Sequence, residues 1–206
     1  MKKRFLTIGL VLILSLSLLL LAGCGNSNNT NDGGNNSQGK MGKKTEAFFN
    51  MFNNGTYHMK AKMDTASGVM EMEIYTKNGM SASLINAEGE SIRVIVKDNK
   101  SYMIVDSEKM IMVSDVTEDE SSGVLNTAGM NYIGSGEAMF GGKNRYYEEY
   151  AGDDGEKIQF FLDGNTLVGI RSLNAGETGD MEILELNKNV PDNVFDIPSD
   201  YQQVSF

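Results

Sequence analysis

Few residues of this chain could do chemistry, and the first of them is Cys24, the only cysteine among 206 residues. A disulfide within the chain needs a second cysteine, so Cys24 cannot form one. A nucleophilic thiol needs a neighbouring base or cation that lowers its pKa. The segment that follows, residues 25–39, offers Asn, Gly, Ser, Thr, Gln and one Asp. These surroundings disfavour a catalytic role for Cys24.

The segment before Cys24 indicates another role for this cysteine. Three basic residues at positions 2–4 precede an uncharged apolar run, Phe5 to Gly23, which is the plan of an export signal. Leu21-Ala22-Gly23-Cys24 resembles the bacterial lipobox, in which lipid is attached to the cysteine sulfur and the signal is cut so that the cysteine becomes the first residue. The alternative is an uncleaved transmembrane helix, which needs roughly 17 to 25 apolar residues. We expect residues 1–23 to be a lipoprotein signal peptide and lipidated Cys24 to anchor the chain to the extracytoplasmic face of the cell membrane.

The remaining candidates for chemistry are weak. His58, the only histidine, lies between lysines on the polar side of a predicted strand, which favours an exposed residue over a general base. Gly134 to Met139 begins like a dinucleotide-binding loop but lacks the third glycine. Acidic runs at 115–120 and 153–156 lack the twelve-residue spacing of a calcium loop. We therefore expect a protein that is not an enzyme and that needs neither a metal nor a cofactor.

The charge of the chain argues against one class of partner. Removal of residues 1–23 takes away three of the 18 basic residues and none of the 28 acidic ones, which leaves 15 against 28 and a net charge of −13. Binding to nucleic acid depends on Lys and Arg side chains that neutralise phosphates. We expect no nucleic-acid partner for this acidic chain.

Composition divides the rest of the chain into two regions. Residues 24–39 combine the lipidated cysteine with an Asn- and Gly-rich stretch that is typical of a flexible linker. A domain follows over residues 40–206. It begins with Lys40 to Asn54, where apolar residues at helical spacing predict a short amphipathic helix.

After Gly55 the apolar residues alternate with polar ones, which predicts β-strands. Six strands are predicted at TYHMKAKMD, VMEMEIYT, GMSASLIN, SIRVIVK, SYMIVD and MIMV, and four more at NRYYEEY, KIQFFLD, TLVGIRSL and MEILELN. The tight connections within each set require an antiparallel meander. An irregular insert, residues 115–136, separates the two sets and is a candidate lid. A helical turn that starts at Pro191 closes the chain, with Val194 and Phe195 against the edge of the sheet.

Methionines mark one side of the first predicted strands. Met59, Met63, Met70, Met72 and Met80 all have the parity of the dry side. One interpretation is an ordinary hydrophobic core. The other is an adaptable apolar surface, because the methionine side chain is flexible and polarizable and suits ligands of varied shape. The residues alone leave both open.

The order of these elements resembles the half-barrel fold of the lipoprotein carrier LolA and its LppX/LprG-type relatives. The most similar pieces are YYEEY at Tyr146 to Tyr150, FFLDGNTLVGI at Phe160 to Ile170 and NVPDNVFDIPSDY at Asn189 to Tyr201. The resemblance implies an α+β, mainly antiparallel β domain of about ten strands: a strongly curved half-barrel sheet with an N-terminal helix and a short lid. It also implies that acyl chains bind in the concavity. A tethered chain cannot shuttle between membranes, so we expect a stationary module for a lipid or lipoprotein ligand.

Two hypotheses follow for the domain. In the first, a hydrophobic ligand binds in a half-barrel cavity. The candidate cavity residues are Tyr57, Met59, Met63, Met70, Met72, Ile74, Leu84, Val94 and Phe160. In the second, the domain is a non-enzymatic protein-interaction or sensor module with a filled core. Its acidic outer face would then include Glu71, Glu73, Glu148 and Glu149.

Overall fold

The structure is a computed structural model, and it describes residues 42–50, 55–65, 68–87, 89–116, 131–152, 156–174 and 177–205. The predicted signal peptide, Cys24, the linker and most of the predicted lid lie outside the described residues. No helix in these ranges has the length and apolar character needed to cross a bilayer.

One α-helix and twelve β-strands make up the described chain. The helix α1 spans Lys43–Asn50, inside the predicted range. The strands are β1 Tyr57–Thr65, β2 Gly68–Lys77, β3 Met80–Ala87, β4 Glu90–Lys97, β5 Lys100–Val105, β6 Met110–Asp115, β7 Asn131–Phe140, β8 Lys143–Ala151, β9 Lys157–Asp163, β10 Thr166–Asn174, β11 Glu177–Asn187 and β12 Gln202–Ser205. Short 3-10 turns lie at Asp106–Glu108 and Asp192–Phe195, so the helical turn expected after Pro191 is confirmed.

All twelve strands belong to one open, curved sheet in the order β12-β6-β5-β4-β3-β2-β1-β11-β10-β9-β8-β7. Neighbouring strands are antiparallel except β12 and β6, which pair in parallel. β1 pairs with β11 and so joins two meanders, β1–β6 and β7–β11. The predicted architecture, a curved and mainly antiparallel open sheet with a short N-terminal helix, is confirmed.

The expected count of about ten strands was low because β7 and β12 gave weak signals. β7 contains Gly134 and Gly136, and glycine has low strand propensity. A Cβ at Gly136 would lie 2.8 Å from the Tyr147 hydroxyl, so a larger residue there would displace the end of the Tyr147 side chain. Part of the predicted insert therefore belongs to β7. β12 begins with two glutamines after the C-terminal turn, and it forms only because β6 offers an unpaired edge.

The register of the strands places the methionines on one side of the sheet, because residues directly opposite each other on paired strands share a face. We call this side the methionine face. On β1 to β6 it carries Tyr57, Met59, Ala61, Met63, Met70, Met72, Ile74, Thr76, Ser81, Ser83, Ile85, Ile92, Val94, Val96, Ser101, Met103, Val105, Met110, Met112 and Ser114. Nine of the ten methionines among the described residues lie on this face, and Met80 alone lies on the opposite face.

The predicted parity of β3 was wrong. Met80, Ala82 and Leu84 were expected beside the methionines of β1 and β2, but Ser81, Ser83 and Ile85 hold those positions. The cause is the two-residue turn Asn78–Gly79, whose residues both have positive φ, at 52° and 77°. Such a turn places Met80 directly opposite Lys77, on the polar side of β2. Leu84 therefore faces away from the methionine face.

Separate elements cover the two faces. On the methionine face, α1 covers β8 to β10 through a cluster of Phe48, Tyr150, Phe160, Leu162 and Leu167. On the opposite face, residues 188–205, which we call the C-terminal strap, cover β3 to β6. The cluster beneath the strap contains Ala82, Ile95, Ile104, Ile111, Val113 and Phe195.

Polar contacts fix the strap along its length. Lys97 Nζ donates to the Phe195 carbonyl oxygen at 2.8 Å, and Lys77 Nζ lies 2.6 Å from Asp192 Oδ1. The Tyr201 hydroxyl donates to Asp106 Oδ1 at 3.0 Å. Hydrogen bonds from Arg93 lower the pKa of Asp106, outweighing the opposing effect of partial burial. Tyr201 of the strap therefore contacts a carboxylate whose ionised form Arg93 favours.

On the opposite face of β7 to β10, the sheet is covered by its own side chains. The rings of Phe140 and Phe161 stack with centroids 4.4 Å apart, and the Arg171 guanidinium lies over both. Arg171 also forms two hydrogen bonds to Asp180, at 2.6 and 2.7 Å. The Phe140 ring lies directly on the backbone of Gly169, where a Cβ would come to 2.0 Å from the ring.

Candidate ligand-binding face

The end of the methionine face at β8 is closed by α1, which is held by a buried carboxylate. Glu148 is 2% exposed and accepts hydrogen bonds from the amides of Lys44 and Thr45, at 3.2 and 2.8 Å. The Thr45 hydroxyl also donates to it, as does the Tyr146 hydroxyl at 3.0 Å. A carboxylate at this position satisfies the free amides of a helix N-terminus and complements its dipole.

This arrangement determines the ionisation of Glu148. Burial alone would raise its pKa, but the hydrogen bonds from Thr45, Lys44 and Tyr146 outweigh burial and hold the pKa below the ordinary range. Gly42 is required beside it, because a Cβ there would lie 2.3 Å from a Glu148 carboxylate oxygen. The Gly42 amide donates to the Tyr150 hydroxyl oxygen at 2.9 Å.

The placement of Glu148 corrects the predicted acidic outer face. Glu148 is buried on the methionine face, whereas Glu71, Glu73 and Glu149 lie on the opposite face. Of these three, Glu71 is exposed and the other two are half-buried.

The methionine face stays partly accessible on β4 to β6. Its apolar residues there are all half-buried: Ile92, Val94, Val96, Met103, Val105, Met110 and Met112. By contrast, Ile95, Ile104 and Ile111 on the other side of the same strands are at most 1% exposed. The same three strands are therefore sealed on one side by the strap and accessible on the other.

The predicted cavity residues fall into three groups. Tyr57, Met59, Met72, Ile74 and Phe160 lie on the methionine face but are at most 5% exposed, so they belong to the packed core. Met63, Met70 and Val94 lie on the same face and are half-buried. Leu84 is on the opposite face.

Sequence reasoning missed most of the accessible apolar residues. The alternating pattern of β5 and β6 is clear and includes Met103, Met110 and Met112. However, alternation within one strand does not tell which of its two sets of residues shares a face with the methionines of a neighbouring strand. The two-residue turns Asn78–Gly79 and Asp98–Asn99 would have supplied that information, since each places its flanking residues opposite one another.

A pocket that the described residues form lies away from this surface. It encloses about 290 Å³ beside the β3–β4 turn and is lined by Val69, Glu71, Asn86, Ala87, Gly89, Glu90 and Ser91. Two carboxylates line it and it is open to solvent, so it is not the apolar cavity that was expected.

His58 is less exposed than predicted. Its side chain is 13% exposed, and its ring stacks on Tyr75 with centroids 4.4 Å apart. Its Nε2 lies 3.5 Å from a Glu73 carboxylate oxygen. The expectation of an exposed residue failed because Tyr75, on the neighbouring strand, covers the ring.

Comparisons with known proteins show similarity at the level of fold. The chain matches no protein-family model, and no curated protein is significantly similar to it. It is similar in structure to an uncharacterised conserved protein from Thermus thermophilus, with a TM-score of 0.55 and 7% sequence identity, over 80% of this chain and 98% of the other.

Two further structures align with lower TM-scores. The LolA superfamily protein NE2245 from Nitrosomonas europaea has a TM-score of 0.43 and 10% sequence identity, over 74% of this chain and 97% of the other. LprF from Mycobacterium bovis has a TM-score of 0.41 and 11% sequence identity, over 72% of this chain and 91% of the other. At these identities the likeness concerns the backbone and transfers no ligand to this chain.

Proposed function

We propose that this chain is a membrane-anchored extracytoplasmic lipoprotein that binds a hydrophobic ligand, a lipid or an acyl chain, on the methionine face of β3 to β6. The observation that carries the proposal is the contrast within β4 to β6, where one side is sealed by the strap and the other presents seven half-buried apolar side chains. Accessible apolar surface of this kind is typical of a site for an apolar ligand or a partner.

The chemistry of the surface suits a hydrocarbon. Each methylene removed from water contributes about 0.8 kcal/mol, and methionines adapt to ligands of irregular shape. Three of the seven half-buried residues are Met103, Met110 and Met112. A surface of this composition offers contact area without demanding one ligand shape.

The anchor is a separate part of the proposal and rests on Leu21-Ala22-Gly23-Cys24. Lipid on Cys24 would hold the binding domain beside a membrane. Replacing Cys24 by Ala should abolish both signal cleavage and incorporation of labelled fatty acid. Normal processing of the Cys24→Ala chain would contradict the anchor and leave the binding face untouched.

A second function is a protein-interaction or sensor module with a filled core. It is favoured by one observation: five of the nine predicted cavity residues are at most 5% exposed. Under this alternative the acidic opposite face, including exposed Glu71, would bind a partner protein.

A pair of matched variants separates the two functions. Val94→Asp places a charge on the methionine face at a half-buried position, and Leu84→Asp places the same charge on the other side of the adjacent strand. The full chain and both variants would be extracted with solvent, and non-covalent lipid would be measured by mass spectrometry. Circular dichroism would show that each variant is folded.

Lipid binding predicts that the unmodified chain and Leu84→Asp carry extractable lipid and that Val94→Asp carries at least several-fold less. Absence of lipid from the unmodified chain, or equal lipid in the two variants, would refute the proposal. Covalent lipid on Cys24 does not confuse the measurement, because solvent does not extract it.

A further inference from the structure

A row of hydroxyl side chains crosses the methionine face at one end of its strands. Thr76 on β2 lies opposite Ser81 on β3, and Ser101 on β5 lies opposite Ser114 on β6. Val96 on β4 links the two pairs, since it is opposite both Ser81 and Ser101. We call Thr76, Ser81, Ser101 and Ser114 the hydroxyl row. The first three are half-buried and Ser114 is exposed.

The next two rows along the strands are almost entirely apolar. One row runs through Ile74, Ser83, Val94, Met103 and Met112. The row beyond it runs through Met72, Ile85, Ile92, Val105 and Met110 and has no polar side chain. Because alternate residues of a strand are about 7 Å apart, the surface changes from hydroxyl-bearing to wholly apolar over roughly 13 Å. A surface with this gradient orients an amphiphile.

One atom of the hydroxyl row has no hydrogen-bond partner among the residues that the structure describes. The Thr76 hydroxyl oxygen is buried and makes no hydrogen bond within the described part of the chain. Buried polar atoms are nearly always hydrogen-bonded, and each unsatisfied one calls for an explanation. A ligand that brings hydroxyl or ester oxygens to the hydroxyl row would supply the missing bond.

Positive charge is missing from the described part of this surface. Over the described residues of β1 to β6, the methionine face carries no Lys or Arg. The lysines at the same strand ends are engaged elsewhere: Lys77 with Asp192, Lys97 with the Phe195 carbonyl, and Lys100 with Asp115 at 3.1 Å. A phosphate in the row would have no counter-ion, and an unpaired charge on a partly buried surface is costly.

We propose that the methionine face selects an uncharged amphiphile with a hydroxyl-bearing head, such as a diacylglycerol, over an anionic phospholipid with the same acyl chains. The acyl chains lie on the half-buried part of the apolar rows, on β4 to β6, and the head lies on the hydroxyl row. This inference rests on the proposed lipid-binding function, and it adds the class of head group and the direction in which the ligand lies.

The test compares two lipids that differ only in the head. The full chain in mild detergent would be titrated with dioctanoylglycerol and with dioctanoyl phosphatidylglycerol, and binding would be followed by competition with a fluorescent acyl probe. Hydrogen bonds to the row, together with the absence of a counter-ion, should make the neutral lipid about tenfold tighter. Equal or tighter binding of the anionic lipid would overturn the inference. Failure of both lipids to bind would refute the lipid-binding function itself.

Substitutions in the hydroxyl row test whether this row causes the preference for the neutral lipid. The double variant Ser81→Ala and Ser101→Ala should reduce the preference from about tenfold to about twofold or less, because the neutral head loses hydrogen bonds on which its advantage depends. Ser114→Lys, at the exposed end of the row, should shift the preference toward the anionic lipid. Ser91→Ala, a half-buried serine on the opposite face of β4, is the matched control. An unchanged preference in both row variants would also overturn the inference.

Discussion

The two ends of the sheet are covered on opposite faces. At β8 to β10 the helix lies on the methionine face, and Phe160 beneath it is 4% exposed. At β4 to β6 the strap lies on the other face, so Ile95 is 1% exposed while Val94, its neighbour in the chain, is half-buried. Val94 and Ile95 are both apolar, so the sequence of β4 does not indicate which of its two sides is sealed. The position of the covering element, and not the apolar pattern, decides which side of a strand a ligand can reach.

The two covers also differ in how they are attached. An eight-residue helix is marginal by itself in water, so α1 depends on its contacts with the sheet. Its N-terminus is held by one buried carboxylate, Glu148, whereas the strap combines a buried aromatic ring, several lysine contacts and a parallel strand. This difference predicts how strongly a substitution in each cover should act.

The largest effect is expected from the strap. Phe195 is 3% exposed in the cluster on β3 to β6, and Phe195→Ala should lower the free energy of unfolding by about 3 to 5 kcal/mol, the usual cost of a deleted core phenylalanine. Chemical denaturation measures the change. Asn193→Ala, at an exposed position of the same turn, should change it by less than about 0.5 kcal/mol. Equal effects of the two substitutions would show that the strap does not seal this face.

A smaller loss is expected where the helix is attached. Glu148→Gln keeps the shape of the side chain but removes the charge that the Thr45 and Lys44 amides bind, and it should cost about 1 to 3 kcal/mol. Glu108→Gln, on an exposed turn, is the control. Hydrogen exchange should show the α1 amides losing protection in Glu148→Gln. If β4 to β6 lost protection instead, the two covers would not be independent.

Low pH should weaken the attachment of α1 to Glu148. Since the pKa of Glu148 is lower in the folded chain than in the unfolded one, its contribution is complete above the unfolded value of about 4.3 and is lost as the pH falls through the folded value. The unmodified chain should therefore lose stability more steeply below about pH 4.3 than Glu148→Gln does. If the free energy of unfolding fell equally steeply with pH in the two proteins, the role of the ionised carboxylate would be contradicted.

The smallest effect is expected at Arg171, where side chains alone cover the opposite face of β7 to β10. Arg171→Lys keeps the charge but loses the two-pronged contact with Asp180 and the stacking on Phe161. An exposed pair of this kind contributes little, so the change should be about 0.5 to 1 kcal/mol in thermal or chemical denaturation. A loss as large as that of Phe195→Ala would mean that this cluster is a third cover.

Much of the fold could be predicted from the sequence because it is encoded locally. Alternation identified ten of the strands, and the helical spacing around Phe48 identified α1. The face of β3 was wrong because it depends on the turn Asn78–Gly79, and β12 was missed because its strand character comes from β6.

The candidate site was harder to predict for the same physical reason. Single-strand parity correctly placed Met63, Met70 and Val94 on one face, but it gave the same weight to Met59 and Met72, which are buried. Accessibility depends on where α1 and the strap pack, and those contacts join residues far apart in the chain. Glu148 shows the limit most clearly, since the pattern YYEEY gives no sign that one of its two carboxylates binds a helix more than 100 residues earlier in the chain.

The pairing of β1 with β11 has a consequence for how the chain folds. Met63 lies opposite Met181, 118 residues later, so the seam between the two meanders cannot form until nearly all of the chain is available. Contacts of such long sequence separation slow folding. A chain that crosses a membrane from its N-terminus would therefore expose β1 as a bare strand edge until β11 arrives, and this interval is the one in which aggregation or chaperone capture would compete with the native state.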